Sequence, residues 1–110
     1  MNTAELTEQY VLGNYGRFPI SFTHGKGGYL WSEEGDRYLD FVTGIAVCAL
    51  GHCPEAMTKA LSKQGEKLIH CSNLYQIREQ AELAEFVVEK MLERPGKVFF
   101  CNSGAEANDG

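Results

Sequence analysis

The chain has 110 residues, 44% of them apolar, and a formal net charge of −5. The apolar fraction excludes a disordered polypeptide, and the length suits one small domain. An acidic balance with no block of Lys or Arg excludes the usual footprint of a nucleic-acid or membrane-surface binder, and no run approaches the roughly 18 apolar residues of a membrane span.

The N-terminus, Met1 to Glu8, is polar and acidic. It has neither a basic n-region nor an apolar h-region, so no secretory or transit signal is expected. Cys48, Cys53, Cys71 and Cys101 are expected to be reduced thiols. There is no C-x-x-C pair, and their spacing with His52 and His70 matches no zinc pattern.

Thr3 to Leu12 carries weak helical patterning through Leu6 and Tyr10, ended by Gly13 and Gly16. Asn14 to Pro19 is a turn-rich connector, because Pro19 pushes Phe18 away from helix. Tyr15 and Arg17 stand two apart on it. Either they reach into a pocket, or Tyr15 packs and Arg17 pairs with a surface carboxylate; spacing alone favours the second. Ile20–Phe22 reads as a short strand, and the glycines 25, 27 and 28 read as a turn, because the order lacks the pattern of a phosphate loop. Tyr29–Trp31 and Arg37–Phe41 then form a hairpin, with Gly35 suited to positive φ in the connection. Its aromatics are expected in a core. Val42 to Cys53 is almost free of polar residues and flanked by Gly44 and Gly51. It reads as an irregular, buried passage of the sort that lines a site or an interface. A structural role is the default for His52.

Pro54 opens a helix to about Leu68, with Met57, Ala60, Leu61 and Leu68 as its buried face. A loop through Ser72 and Asn73 follows. A second helix covers about Arg78 to Arg94, with Ala81, Ala84, Val88, Met91 and Leu92 inward, and Pro95-Gly96 stops it. Val98–Cys101 is an apolar run expected as a buried strand. Asn102-Ser103-Gly104 breaks it, and Ala105-Glu106-Ala107 starts a helix. Free N–H groups at such a helix start favour an anion, most often a phosphate. Ser103 and Glu106 also fit a capping box, S-x-x-E, which needs no ligand. The two readings can coexist at different N–H groups. Helix, strand and helix in this order predict an α/β domain.

The segment Asn102–Asn108, N-S-G-A-E-A-N, resembles that of the class III pyridoxal-phosphate aminotransferases. Tyr15-Gly16-Arg17-Phe18-Pro19 is similar to the Y-x-R-x-P segment of the acetylornithine aminotransferases within that family. Leu30-Trp31 with Tyr38–Phe41, Gly44–Val47, Leu50–His52 and Ser72–Tyr75 match further family segments in order. The resemblance implies fold type I, in its N-terminal portion only: residues 1–52 as a hairpin-bearing part of the small domain, and 53–110 as the beginning of the large cofactor-binding α/β domain. It implies pyridoxal 5'-phosphate as cofactor, a homodimer, a cytoplasmic location and a place in arginine biosynthesis. The reaction implied is amino transfer between N-acetylornithine, or a related ornithine derivative, and 2-oxoglutarate.

By the same resemblance, Gly104 and Ala105 hold the cofactor phosphate with Ser103 beside them. Tyr15 and Ile45 line the substrate site, and Ser72 and Asn73 lie near the dimer interface. The family's cofactor-binding lysine, ring-nitrogen acid and carboxylate-binding arginine fall beyond residue 110, and none of Lys26, Lys59, Lys63, Lys67, Lys90 or Lys97 matches the catalytic position. No catalytic residue is therefore expected in the chain, which reads as inactive alone. Other class III members, acting on ornithine or 4-aminobutyrate, and a non-catalytic binding or dimerisation module remain alternatives. The sequence departs from the family's G-H-x-H-P pattern in Gly51-His52-Cys53-Pro54-Glu55, where the second histidine is replaced and the proline falls one place early, and at Cys48, Asp109 and Gly110.

Overall fold

Asn2 caps the first helix. Its Oδ1 accepts from Glu5 N–H at 2.9 Å, and Glu5 Oε2 accepts from Asn2 N–H at 2.9 Å. This reciprocal box starts α1 (Thr3–Tyr10), which stops at an extended Val11. The computed structural model describes residues 2–92 and 94–110, and it divides into a unit ending at Lys67 and a second from Leu68 to Gly110.

In the first unit, β1 (Phe22–Lys26), β2 (Tyr29–Ser32) and β3 (Arg37–Leu39) form an antiparallel sheet in the order β1-β2-β3. β1 starts two residues later than Ile20 and runs through Gly25, so the expected turn shrinks to Gly27-Gly28 between the paired Lys26 and Tyr29. Gly25 pairs with Leu30 in the strand, and the position requires glycine because a Cβ there would lie 2.7 Å from His52 Cγ. The second connection is as expected, with Gly35 at φ +89°. Cross-strand ring pairs hold the register: His24 stacks on Trp31 at 4.9 Å, and Phe22 meets Tyr38 edge-on at 5.5 Å. Arg37 Cζ sits 4.7 Å from the Tyr29 ring centre. These aromatics form a half-open face and not the core expected for them: among the described residues the only buried side chain is Ser32.

The passage after β3 is irregular, as expected, but it is not buried. Its apolar side chains Val42, Ile45, Val47 and Leu50 are all exposed. Its first turn, α2 (Thr43–Ala46), is left-handed, with φ of 51°, 62°, 58° and 64° at Thr43, Gly44, Ile45 and Ala46. Three of these residues carry a Cβ, and left-handed helix costs such residues roughly 1–2 kcal/mol each. Gly51 (φ +80°) then brings the chain back against Gly27. Gly27 and His52 form an isolated antiparallel bridge, N–H to carbonyl in both directions at 3.1 and 2.7 Å.

α3 (Glu55–Gly65) follows. Pro54 is its cap and not its first helical residue: its backbone is extended (ψ 133°), and its carbonyl accepts from Met57 and Thr58. Gly65 ends the helix three residues before the expected Leu68. Met57, Leu61 and Leu68 are exposed, so the expected inward face is uncovered.

In the second unit, α4 (Arg78–Phe86) continues into a π-helix, Val87–Leu92, where an uninterrupted α-helix to Arg94 was expected; Glu93 lies outside the described residues. Ala84, Val87 and Val88 are half-buried, while Met91 and Leu92 are exposed. The expected strand at Val98–Cys101 is absent. The segment is unladdered because no partner strand lies beside it among the described residues. α5 (Gly104–Asp109) closes the unit. No helix among the described residues is long and apolar enough to cross a membrane.

Gly25→Ala is expected to destabilise the protein by about 1–3 kcal/mol, because the new methyl must displace the fixed base of the His52 ring. A urea or thermal melt that superimposes on the wild type would refute that contact.

Candidate functional site

Two constellations carry chemistry, one in each unit. The first is built on Asp40, at the end of β3. Its Oδ1 accepts from the N–H groups of Val42 and Thr43, both at 2.9 Å. Acceptance at i+2 and i+3 is what a short acidic side chain does when it opens a turn. Its Oδ2 lies 2.7 Å from His52 Nε2. The Thr43 N–H first, then His52 and the Val42 N–H, hold the Asp40 carboxyl below its ordinary value. An ionised carboxylate can only accept, so His52 Nε2 carries the proton between them. His52 is therefore structural, as expected by default, and Asp40 is the residue that reading the sequence missed. Its signal was present: an aspartate two and three places before the residues whose N–H groups need an acceptor.

Tyr15 and Ile45, the expected substrate-site residues, belong to the same unit. Ile45 is 88% exposed, on the left-handed turn that Asp40 opens. Tyr15 is exposed, with Arg17 Cζ 5.7 Å from its ring centre. No carboxylate among the described residues forms a salt bridge with Arg17, contrary to the pairing that spacing favoured; Arg17 instead lines a groove beside α1 with Phe18, Pro19 and Glu33.

The second constellation is the start of α5. Ser103 is the cap, in extended conformation, and its Oγ accepts from Glu106 N–H at 3.2 Å. The same hydroxyl donates to Glu106 Oε2 at 2.9 Å. Glu106 Oε2 also accepts from Asn102 N–H at 2.9 Å, one residue further back than the Ser103 N–H of a standard capping box. These donors, Ser103 Oγ first, hold the Glu106 carboxyl below its usual range. The N–H groups of Gly104 and Ala105 have no acceptor among the described residues. Nothing lies within 4 Å of where a Cβ on Gly104 would stand. Two unpaired N–H groups, open space above a glycine and the positive end of a helix turn fit a phosphate. Ser103 sits beside them with its hydroxyl proton already directed to Glu106.

Ser72 and Asn73 lie in the same unit as Ser103. Ser72 is left-handed (φ 71°), its Oγ accepts from Leu74 N–H at 3.3 Å, and its carbonyl accepts from Tyr75 N–H. Asn73 Oδ1 meets Gln80 Nε2 only at 3.5 Å, so its side chain is weakly held and exposed.

Comparison with known proteins matches residues 10–110 to the family described as "Aminotransferase class-III". An acetylornithine aminotransferase of Synechocystis is 55% identical over 102 residues, covering 93% of this chain and 23% of that protein. An acetylornithine aminotransferase of Caldanaerobacter subterraneus is 52% identical, covering 94% and 26%. The crystal structure of acetylornithine aminotransferase from Elizabethkingia anophelis superposes with a TM-score of 0.89 at 29% identity, over 96% of this chain and 27% of that one. The chain thus spans about a quarter of the length of these relatives. The expected fold class is that of this structural neighbour, of which the chain forms a partial α/β piece with a three-stranded antiparallel sheet.

Because the Glu106 pKa is depressed by native donors, the stability it contributes is present above its ordinary 4.5 and is lost as pH falls through the lower native value. An NMR titration should place the Glu106 midpoint below 4.5 in the wild type and higher in Ser103→Ala. Equal midpoints in the two proteins would show that Ser103 is not the cause.

Proposed function

The chain belongs to the class III aminotransferase family, and from that premise we propose that it forms part of a pyridoxal-phosphate enzyme transferring an amino group between N-acetylornithine, or a close ornithine derivative, and 2-oxoglutarate. The observation that carries the substrate class is the 52–55% identity to acetylornithine aminotransferases across nearly the whole chain. In this reading the enzyme is a cytoplasmic homodimer of arginine biosynthesis. Residues 1–52 contribute to its small domain and 53–110 to its large one. The exposed apolar faces of α3 and of the Val42–Leu50 passage support a chain that works under further polypeptide.

Pyridoxal phosphate, when bound, supplies the electron sink that lets an amino group leave one carbon skeleton and join another. The residues of this chain hold and surround it. Gly104 and Ala105 donate their unpaired N–H groups to the phosphate, and the missing Cβ of residue 104 lets the anion approach the backbone. Ser103 borders the phosphate and keeps Glu106 engaged, so that the Glu106 carboxylate is satisfied by Asn102 and Ser103 and does not occupy the two N–H groups. Ile45 offers an apolar wall to the methylene chain of the amino donor, and Tyr15 borders the same substrate. Ser72 and Asn73 stand toward the partner subunit.

Gly104→Pro removes one N–H at the first helical position, where proline is tolerated, and the extended Ser103 before it suits a following proline. In the complete enzyme this variant should weaken pyridoxal-phosphate affinity about ten- to a hundredfold, the worth of one hydrogen bond to a charged group, while Gly104→Ala, which adds the Cβ but keeps the N–H, should lose less. Unchanged affinity in Gly104→Pro would refute the phosphate assignment. Incubating the complete wild-type enzyme with N-acetylornithine and 2-oxoglutarate should yield glutamate; none formed, with a different amine accepted, would overturn the substrate.

A further inference from the structure

Left-handed backbone at Thr43, Ile45 and Ala46 persists only where surrounding groups hold it. The turn has backbone bonds of its own, Ile45 N–H to the Val42 carbonyl and Cys48 N–H to the Thr43 carbonyl, both at 2.9 Å, and its side-chain anchors converge on Asp40. Asp40 Oδ1 binds the N–H groups of Val42 and Thr43 at the turn's entrance. Asp40 Oδ2 binds His52 at its exit. Asp40 N–H donates to the Gly28 carbonyl at 2.9 Å, and His52 is bridged through its backbone to Gly27. Both ends of the loop are thereby fastened to the β1–β2 tip, and the side chain at the loop's summit, Ile45, is left exposed. The polar groups of this segment are the half-buried ones, while its apolar residues face outward, the reverse of what folding alone would choose.

We propose that Asp40 is a positioning residue for the amino-donor site: its carboxylate locks the Thr43–Ala46 turn and so fixes where Ile45 meets the substrate. This rests on the reading of Ile45 as part of the substrate wall. Asp40 touches neither substrate nor cofactor and acts through the backbone of residues 42–46. His52 serves as the second anchor of the same lock.

The test uses the complete holoenzyme with Asp40→Ala, Asp40→Asn and Ile45→Ala. Asparagine keeps an oxygen for Val42 and Thr43, so it should rescue most of what alanine loses. Amide hydrogen exchange over residues 42–51 should speed up in Asp40→Ala and remain nearly wild-type in Asp40→Asn. The KM for the amino donor should rise about ten- to a hundredfold in Asp40→Ala, with pyridoxal-phosphate affinity unchanged. Combined with Ile45→Ala, the loss should be less than the product of the two single losses, because Asp40 acts through Ile45. If Asp40→Ala does not fold, the same cycle is run with His52→Ala, which removes the second anchor of the loop and leaves Asp40 Oδ1 on Val42 and Thr43. Unaltered exchange overturns the lock, and multiplicative losses overturn its role at the substrate. A wild type without amino transfer would instead refute the functional reading, and exchange would still decide the lock.

Discussion

A carboxylate with three donors, placed where an edge strand meets a loop, organises the better part of the first unit. Asp40 satisfies two N–H groups that the turn of the chain would otherwise leave bare, and it holds a histidine whose backbone is itself stitched to the sheet. Each of these bonds constrains a different element, so the geometry of the loop is over-determined. That over-determination lets β-branched residues occupy left-handed backbone, a conformation normally left to glycine. Gly25 and Gly51 complete the arrangement from the other side, by yielding space to the His52 ring and to the Gly27 carbonyl.

Much of this was legible in the residues. The hairpin, its Gly35 connection, both longer helices and the cap at Ser103 follow from turn chemistry and periodicity, which are local and belong to short stretches of chain. The rest depends on distant partners. Val98–Cys101 has the composition of a strand and lacks a neighbour to pair with among the described residues. Met57 and Leu61 lie on the apolar stripe of a helix and remain exposed, because a stripe is buried only when something packs on it. Gly25 looked like a turn residue and is a strand residue, since the His52 ring that demands a glycine comes from 27 positions downstream. At the candidate sites, spacing alone left the Ser103 segment divided between cap and anion nest. The structure gives each its own atoms: the cap takes Glu106 N–H, and the Gly104 and Ala105 N–H groups stay unpaired.

The two constellations are built from the same material. Both use a carboxylate that accepts from donors near its own position in sequence, backbone N–H groups and His52 for Asp40, the Ser103 hydroxyl and the Asn102 N–H for Glu106, and both carboxyl groups are held more acidic by doing so. In neither is the carboxylate free to act as a base. Each spends its charge on shape: Asp40 on a loop that displays an apolar side chain, Glu106 on a turn that leaves two N–H groups outward.

The reciprocal bonding of Ser103 and Glu106 has a kinetic consequence. A turn whose hydroxyl and carboxylate already satisfy one another is shaped before any anion arrives. On the proposed reading, an incoming phosphate would meet donors already oriented by that bonding. The entropy of arranging that turn is charged to folding and not to association. On the same reading, loss and recapture of the phosphate would leave the Ser103–Glu106 turn in place.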